Sequence, residues 1–235
     1  GCVRTANEDS HVVREDVGIW VVADGMGGHT NGKWASYTVT QAIEETALDN
    51  DFNANIDRLE AALMRANRTI YDAAEEAGAR MGSTAALLYI DGWRYALLWA
   101  GDSRVYLLRD NVLSQVTHDH TQVQEMVDRA AMTKEEARNH PMSHVITRAV
   151  GVDEDFGPEV RTEELKPGDI FLLCSDGLTG MVKDEEIGEH LAGMGARAAC
   201  KALLELALDR GAPDNVTVIT VACEEMTALI LPQEA

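Results

Sequence analysis

The sequence predicts an α+β fold built on antiparallel sheet. Strand-like runs come in blocks joined by short turns. The clearest block is 84–90 with 93–100 around Asp91-Gly92, a turn in which both central positions need positive φ. Helix-like runs come in consecutive pairs and do not alternate with single strands, which argues against a βαβ array.

Taken in order, residues 10–14 and 17–23 are two short strands around Glu15-Asp16. Residues 33–49 carry Ala35, Val39, Ala42, Ile43 and Thr46 at helical spacing, and 56–78 repeat it with Leu59, Leu63, Ala66, Ile70, Ala73 and Ala77. Each is an amphipathic helix with a charged outer face, so the pair must cover one face of a sheet. After the 84–100 hairpin, 104–109 and 112–116 flank Asp110-Asn111, a second turn of the same kind. Residues 117–148 are polar and irregular, hold four of the seven histidines, and suit one or two short helices. Glu159–Glu164 and Ile170–Cys174 read as a further hairpin around 166–169. Helices over 184–192 and 196–211 and a last strand over 216–223 complete the pattern; the tail to Ala235 adds little. No repeat, low-complexity tract or Gly/Ser linker divides the chain, so 1–235 reads as one domain with 117–148 as an insertion over its surface.

The 235 residues suffice for a substantial core. Forty acidic side chains against 20 basic ones give a net charge of −20, which repels nucleic acid and anionic membrane and discounts both as partners. Cys2, Cys174, Cys200 and Cys223 form no C-x-x-C pair and no disulfide framework. No signal peptide or membrane-length apolar run is present, and a cytoplasmic location is the expectation.

The densest chemistry lies at 20–29, where an apolar strand ends in Asp24-Gly25-Met26-Gly27-Gly28. Glycines there let a ligand approach the backbone closely. A dinucleotide fingerprint fails on spacing, because G-x-G-x-x-G needs glycine where Thr30 stands. A tight turn with an Asp cap remains open for this stretch alone. The other aspartates change the balance. Asp24, Asp102 and Asp176 each follow an apolar run and precede glycine or serine, and Asp214 stands just before the last strand. Carboxylates at strand ends can converge, and close like charges need a cation. An oxygen-only set suits magnesium or manganese. His118 and His120 offer a zinc alternative, although His-Asp-His in a polar loop is more often solvated. A Cys-x5-Arg cradle is absent, since Gly180 stands six residues after Cys174, and no G-x-S-x-G elbow occurs. Arg4 and the acids Glu8 and Asp9 lie close together; arginine suits phosphate, while a surface ion pair is the commoner fate of such a run.

In order, Arg4-x-x-Asn7-Glu8-Asp9, Asp24-Gly25-Met26-Gly27-Gly28, Gly82-Ser83-Thr84, Gly101-Asp102-Ser103-Arg104, Ser175-Asp176-Gly177-Leu178 and Asp214-Asn215 resemble the motifs of the metal-dependent protein phosphatases of type 2C, bacterial branch. The resemblance implies a central antiparallel β-sandwich with a helix pair on each outer face. It implies hydrolysis of serine/threonine phosphoproteins by in-line attack of a hydroxide bridging Mg²⁺ or Mn²⁺ ions, two per chain or three. Asp24 would bridge two metals with the Gly25 carbonyl on one of them. Asp176 and Asp214 would ligate the first, and Glu8 would act near the second. Asp9 would orient a metal-bound water, Arg4 would clamp the phosphate, and Asp102 with Asp176 would match a third-metal position. The 117–148 insertion would be the flap beside the site. The implied partners are phosphorylated proteins and an opposing serine/threonine kinase, and the chain would act as a monomer. A catalytically inactive phosphoprotein-binding adaptor and a small-molecule phosphohydrolase are the alternatives. Two departures stand out: Met26 occupies the position of a histidine assigned as general acid in eukaryotic relatives, and the strand that normally precedes the Arg4 motif is missing or truncated at Gly1.

Overall fold

In the computed structural model, which describes residues 1–138 and 140–224, two antiparallel sheets lie face to face. The first runs β1 (Asp9–Arg14), β2 (Ile19–Met26), β4 (Ala85–Asp91), β5 (Arg94–Ala100), β8 (Glu159–Glu164), with the two-residue β3 (Gly82–Ser83) on the far end of β2. The second runs β10 (Val218–Ala222), β9 (Ile170–Cys174), β6 (Arg104–Arg109), β7 (Val112–Gln115). Helices α1 (His29–Glu44) and α2 (Phe52–Ala77) cover the outer face of the first sheet; α6 (Asp184–Met194) and α7 (Ala196–Asp209) cover that of the second. This is the expected four-layer α+β sandwich.

The two-residue alternation of each strand divides its side chains between two apolar layers. Ala85, Leu87 and Tyr89 of β4 face α1 and α2, while Ala86 and Leu88 face the opposite sheet. Leu98 and Ala100 of β5 likewise join the helix layer, and Tyr95, Leu97 and Trp99 the inter-sheet layer. In the second sheet Phe171 and Leu173 point inward, whereas Leu172 and Cys174 meet Ile187, Leu191, Leu203 and Ala207 of α6 and α7. Burial on both faces explains why these strands read as unbroken apolar runs and not as alternating ones.

Several boundaries differ from the sequence expectation. Helix α1 starts at His29 and not at 33, because its first turn is polar and shows no periodicity. Helix α2 starts at Phe52 and not at 56; Asp51 caps it by accepting from the Ala54 N–H at 2.9 Å. The larger correction concerns β8 and β9, which are not a hairpin. β8 pairs with β5 in the first sheet and β9 with β6 and β10 in the second, so residues 165–169 carry the chain between sheets. Asp169 explains that crossing: it is 1% exposed and takes a two-pronged contact from Arg109 at the end of β6, at 2.8 and 2.6 Å. The 117–148 segment forms α3 (Gln122–Asp128) and α4 (Lys134–Arg138) outside both sheets. No strand precedes Arg4 among the described residues; the Cys2 N–H instead meets the Ala212 carbonyl at 2.8 Å.

Asn67, buried in α2, pins the loop after the flap: it accepts from the Gly151 N–H at 2.5 Å and donates to the Asp153 carbonyl at 2.9 Å. That loop in turn pairs Val150 with Ser83, beside the end of β2. Replacing Asn67 by alanine strands a buried N–H and is expected to cost about 2 kcal/mol. Urea denaturation measures it, and an unchanged midpoint refutes the role given to Asn67.

Candidate metal centre

The end of the sandwich where β2 finishes gathers the acidic side chains that the motifs singled out. Asp9 opens β1 and Asp24 lies near the end of β2; the two are direct partners in the antiparallel register, so their side chains share a face. The strand end carrying Asp24 is fixed by Thr84. Its Oγ1 accepts from the Asp24 N–H and its own N–H donates to the Asp24 carbonyl, both at 2.8 Å. Asp176 stands at the first position of α5 (Asp176–Thr179), separated from β9 by Ser175 alone, and Asp214 two residues before β10's approach at Val216.

Two close backbone approaches bring these segments together. A Cβ on Gly25 would stand 2.0 Å from the Gly32 carbonyl oxygen, so the first turn of α1 crosses the end of β2 backbone against backbone. A Cβ on Gly177 would stand 1.8 Å from the Asn215 oxygen, which is what lets Asp176 and Asp214 share one side of the site. Asn215 then ties in the N-terminal segment, accepting from the Glu8 N–H at 2.9 Å and donating to the Ala6 carbonyl at 3.1 Å.

The electrostatics report the same convergence. Burial, followed by the charges of Asp9, Asp176, Asp102 and Asp214, holds the Asp24 carboxyl well above the ordinary range. Asp102 is 8% exposed, and burial with Asp176 and Asp119 nearby pushes it up to about 8. Asp9 is raised by burial despite accepting from Ser175 Oγ at 2.8 Å and Thr217 Oγ1 at 2.6 Å on Oδ2. Its Oδ1 and Glu8 Oε1 are buried with no hydrogen-bond donor among the described residues. Buried anionic oxygens without a donor call for a cation. The donor set is all oxygen, matching hard divalent ions. Among the described residues, no three His, Cys, Asp or Glu side chains stand close enough to form a finished cage. Arg4 engages Asp214 at 2.7 Å.

Arg4, read as a phosphate clamp, is thus spent on Asp214 in this structure, half-exposed at the rim. Met26 ends β2 without an ionisable group, and the side chain of His29 lies outside what is described. The histidines weighed for zinc are both engaged: His118 Nε2 meets Asp128 at 2.8 Å, and His120 Nδ1 accepts the Gly101 N–H at 3.1 Å. Sequence reasoning missed Ser175 and Thr217 as the holders of Asp9, and Gly32 as the partner of Gly25. It also missed His144, which reaches from the flap to within 3.6 Å of Asp176. Between flap and sandwich a cleft of about 200 Å³ opens beside Asp176, bordered by Asp102, Arg104, Lys134, Arg138 and His144.

Comparison with known proteins bears on the family and the fold. Residues 3–194 match the model of the family described as Protein phosphatase 2C. The serine/threonine protein phosphatase PstP of Mycobacterium tuberculosis is 40% identical over 221 residues, covering 93% of this chain and 42% of PstP, so the chain spans less than half of that relative's length. The serine/threonine phosphatase stp of Listeria monocytogenes is 32% identical over 231 residues, covering 94% of this chain and 92% of stp. A crystal structure of the catalytic domain of PstP in complex with two manganese ions superposes with a TM-score of 0.84 at 38% identity, over 96% of this chain and 95% of that one. With its motifs gathered at one end of the same sandwich, the chain belongs to the protein phosphatase 2C family.

Proposed function

We propose that this chain is a serine/threonine phosphoprotein phosphatase that works with two Mg²⁺ or Mn²⁺ ions, and a third where Asp102 and Asp176 meet. The observation that carries the reading is the set of buried acids around Asp24, with carboxylate oxygens on Glu8 and Asp9 that lack any donor among the described residues. The ions, when bound, supply a neutralising charge for the phosphate and lower the pKa of water for in-line displacement. Asp24 and the Gly25 carbonyl, Asp176, Asp214 and Glu8 would hold them.

The chain's own groups have separable tasks. Ser175 and Thr217 fix one oxygen of Asp9, leaving Oδ1 free to accept a hydrogen bond from the attacking water and so orient it. Arg4 has to exchange Asp214 for the substrate, and its fork suits two phosphate oxygens at once. Since Asp214 is also among the residues that would hold an ion, its engagement there would release the Arg4 guanidinium for the phosphate. The proposal includes phosphorylated proteins as substrates, an opposing serine/threonine kinase, and action as a cytoplasmic monomer. The net charge of −20 favours separate copies. No helix among the described residues is long and apolar enough to cross a membrane.

Replacing Asp24 by asparagine is expected to lower Mn²⁺-dependent hydrolysis of p-nitrophenyl phosphate about 10³-fold or more while the circular-dichroism spectrum stays native. Turnover at the wild-type rate refutes the proposal.

A second prediction follows from Asp102 and Asp24. A carboxyl raised from the ordinary value in the folded chain binds more protons there than in the unfolded chain, so stability falls as pH rises between the two values, about 4 to about 8 for Asp102. Ion binding needs the deprotonated groups, so its stabilisation grows over the same window. In excess chelator the melting temperature should drop by roughly 5 °C from pH 5 to pH 8. The increment on adding Mn²⁺ should be larger at pH 8 than at pH 5. A pH-independent increment refutes the assignment of these groups as ligands.

A further inference from the structure

The turn that carries Asp102 is gripped from the next loop by one residue. His120 donates its backbone N–H to the Gly101 carbonyl at 2.9 Å, and the Gly101 N–H donates back to His120 Nδ1 at 3.1 Å. Gly101 stands at a φ of +99°, so the turn has a left-handed conformation that needs such fixing. The ring is 8% exposed and lies parallel to Trp99 at a centroid distance of 6.4 Å.

Accepting at Nδ1 places the single ring proton of the neutral form on Nε2. Nε2 faces Glu159 Oε1 at 3.1 Å, close in distance though poorly aligned as a hydrogen bond, and Arg148 approaches the same oxygen at 3.5 Å. The carbonyl of His120 accepts from the Thr147 N–H at 2.8 Å, and Thr121 bridges Ile146. His120 therefore sits where the neck of the flap meets the end of β5.

We propose that His120 is a positioning residue: its Nδ1 lone pair holds the Gly101-Asp102 turn and thereby sets where the Asp102 carboxylate stands for a divalent ion. The inference rests on the reading of Asp102 as a ligand. Asparagine at 120 keeps an acceptor near the place of Nδ1; phenylalanine keeps the ring and its stacking but has none; glutamine moves the acceptor toward the place of Nε2. The comparison is thus between acceptor and bulk.

The test measures Mn²⁺ titration calorimetry and amide hydrogen exchange on the whole chain, for wild type, His120→Asn, His120→Phe, His120→Gln and Asp102→Asn. Expected is a loss of about 10- to 100-fold in affinity for the ion that Asp102→Asn also weakens, in the Phe and Gln variants but not in Asn. Exchange at the Gly101 amide should speed up at least as much in the same two variants. Wild-type isotherms and exchange in the Phe and Gln variants, or an Asn variant as impaired as Phe, overturn the proposal. If Asp102→Asn itself binds Mn²⁺ as wild type does, the ligand reading of Asp102 fails, and Gly101 exchange alone rules for or against the grip of His120. Long-range ¹⁵N correlation of the wild-type imidazole adds a direct check, since a proton on Nδ1 at neutral pH overturns it.

Discussion

Acidic side chains crowded together out of water are the constraint on which this structure turns. Asp9, Asp24 and Asp102 all have carboxyls raised by burial and by neighbouring acids. Left to itself such a cluster would spread into solvent, because desolvation and repulsion act in the same direction. It is held because its members start from elements that cannot move apart. Asp9 and Asp24 are paired across one antiparallel ladder, Asp102 closes the turn between β5 and β6, and Asp176 follows the central strand β9.

The rigidity of those starting points comes from the three apolar layers. Each central strand is packed on both faces, by the opposite sheet on one side and by a helix pair on the other. Moving a strand end by a fraction of an ångström would disturb two close-packed interfaces at once. Short polar contacts then finish the placement: Thr84 on Asp24, Ser175 and Thr217 on Asp9, and Asn215 on the segment that carries Glu8.

Much of this was legible in the sequence, and the limits have physical causes. Both hairpins were readable because such turns restrict residue type: Asp110 and Asn111 do adopt positive φ, 52° and 61°, whereas the first turn is Gly92-Trp93 and not Asp91-Gly92, since Asp91 still pairs with Arg94 and the positive φ, 57°, falls on Gly92. The crossing between β8 and β9 was not, because Lys166-Pro167-Gly168 suits a hairpin as well as a connection between sheets. What separates the two is Asp169, whose partner Arg109 is distant in sequence. The acids of the site were visible by their place at strand ends. Ser175, Thr217, Gly32 and His120 were not, since each acts through a contact made only once the chain is folded: a hydroxyl on a carboxylate, a backbone crossing, or a ring nitrogen on an amide. No local pattern encodes such contacts.

Arg4 stands at the edge of the acidic cluster and is paired with one of its members. In a chain with a net charge of −20, few cations are at hand to offset the acids, and Arg4 supplies one by pairing with Asp214. That pair lies at the rim, where solvent screens it, so it contributes little to folding and can be exchanged readily. A buried ion pair at the same place would have to offset the desolvation of both charges. Half-exposure is what leaves this guanidinium exchangeable, so that its pairing with Asp214 does not lock it to the acids.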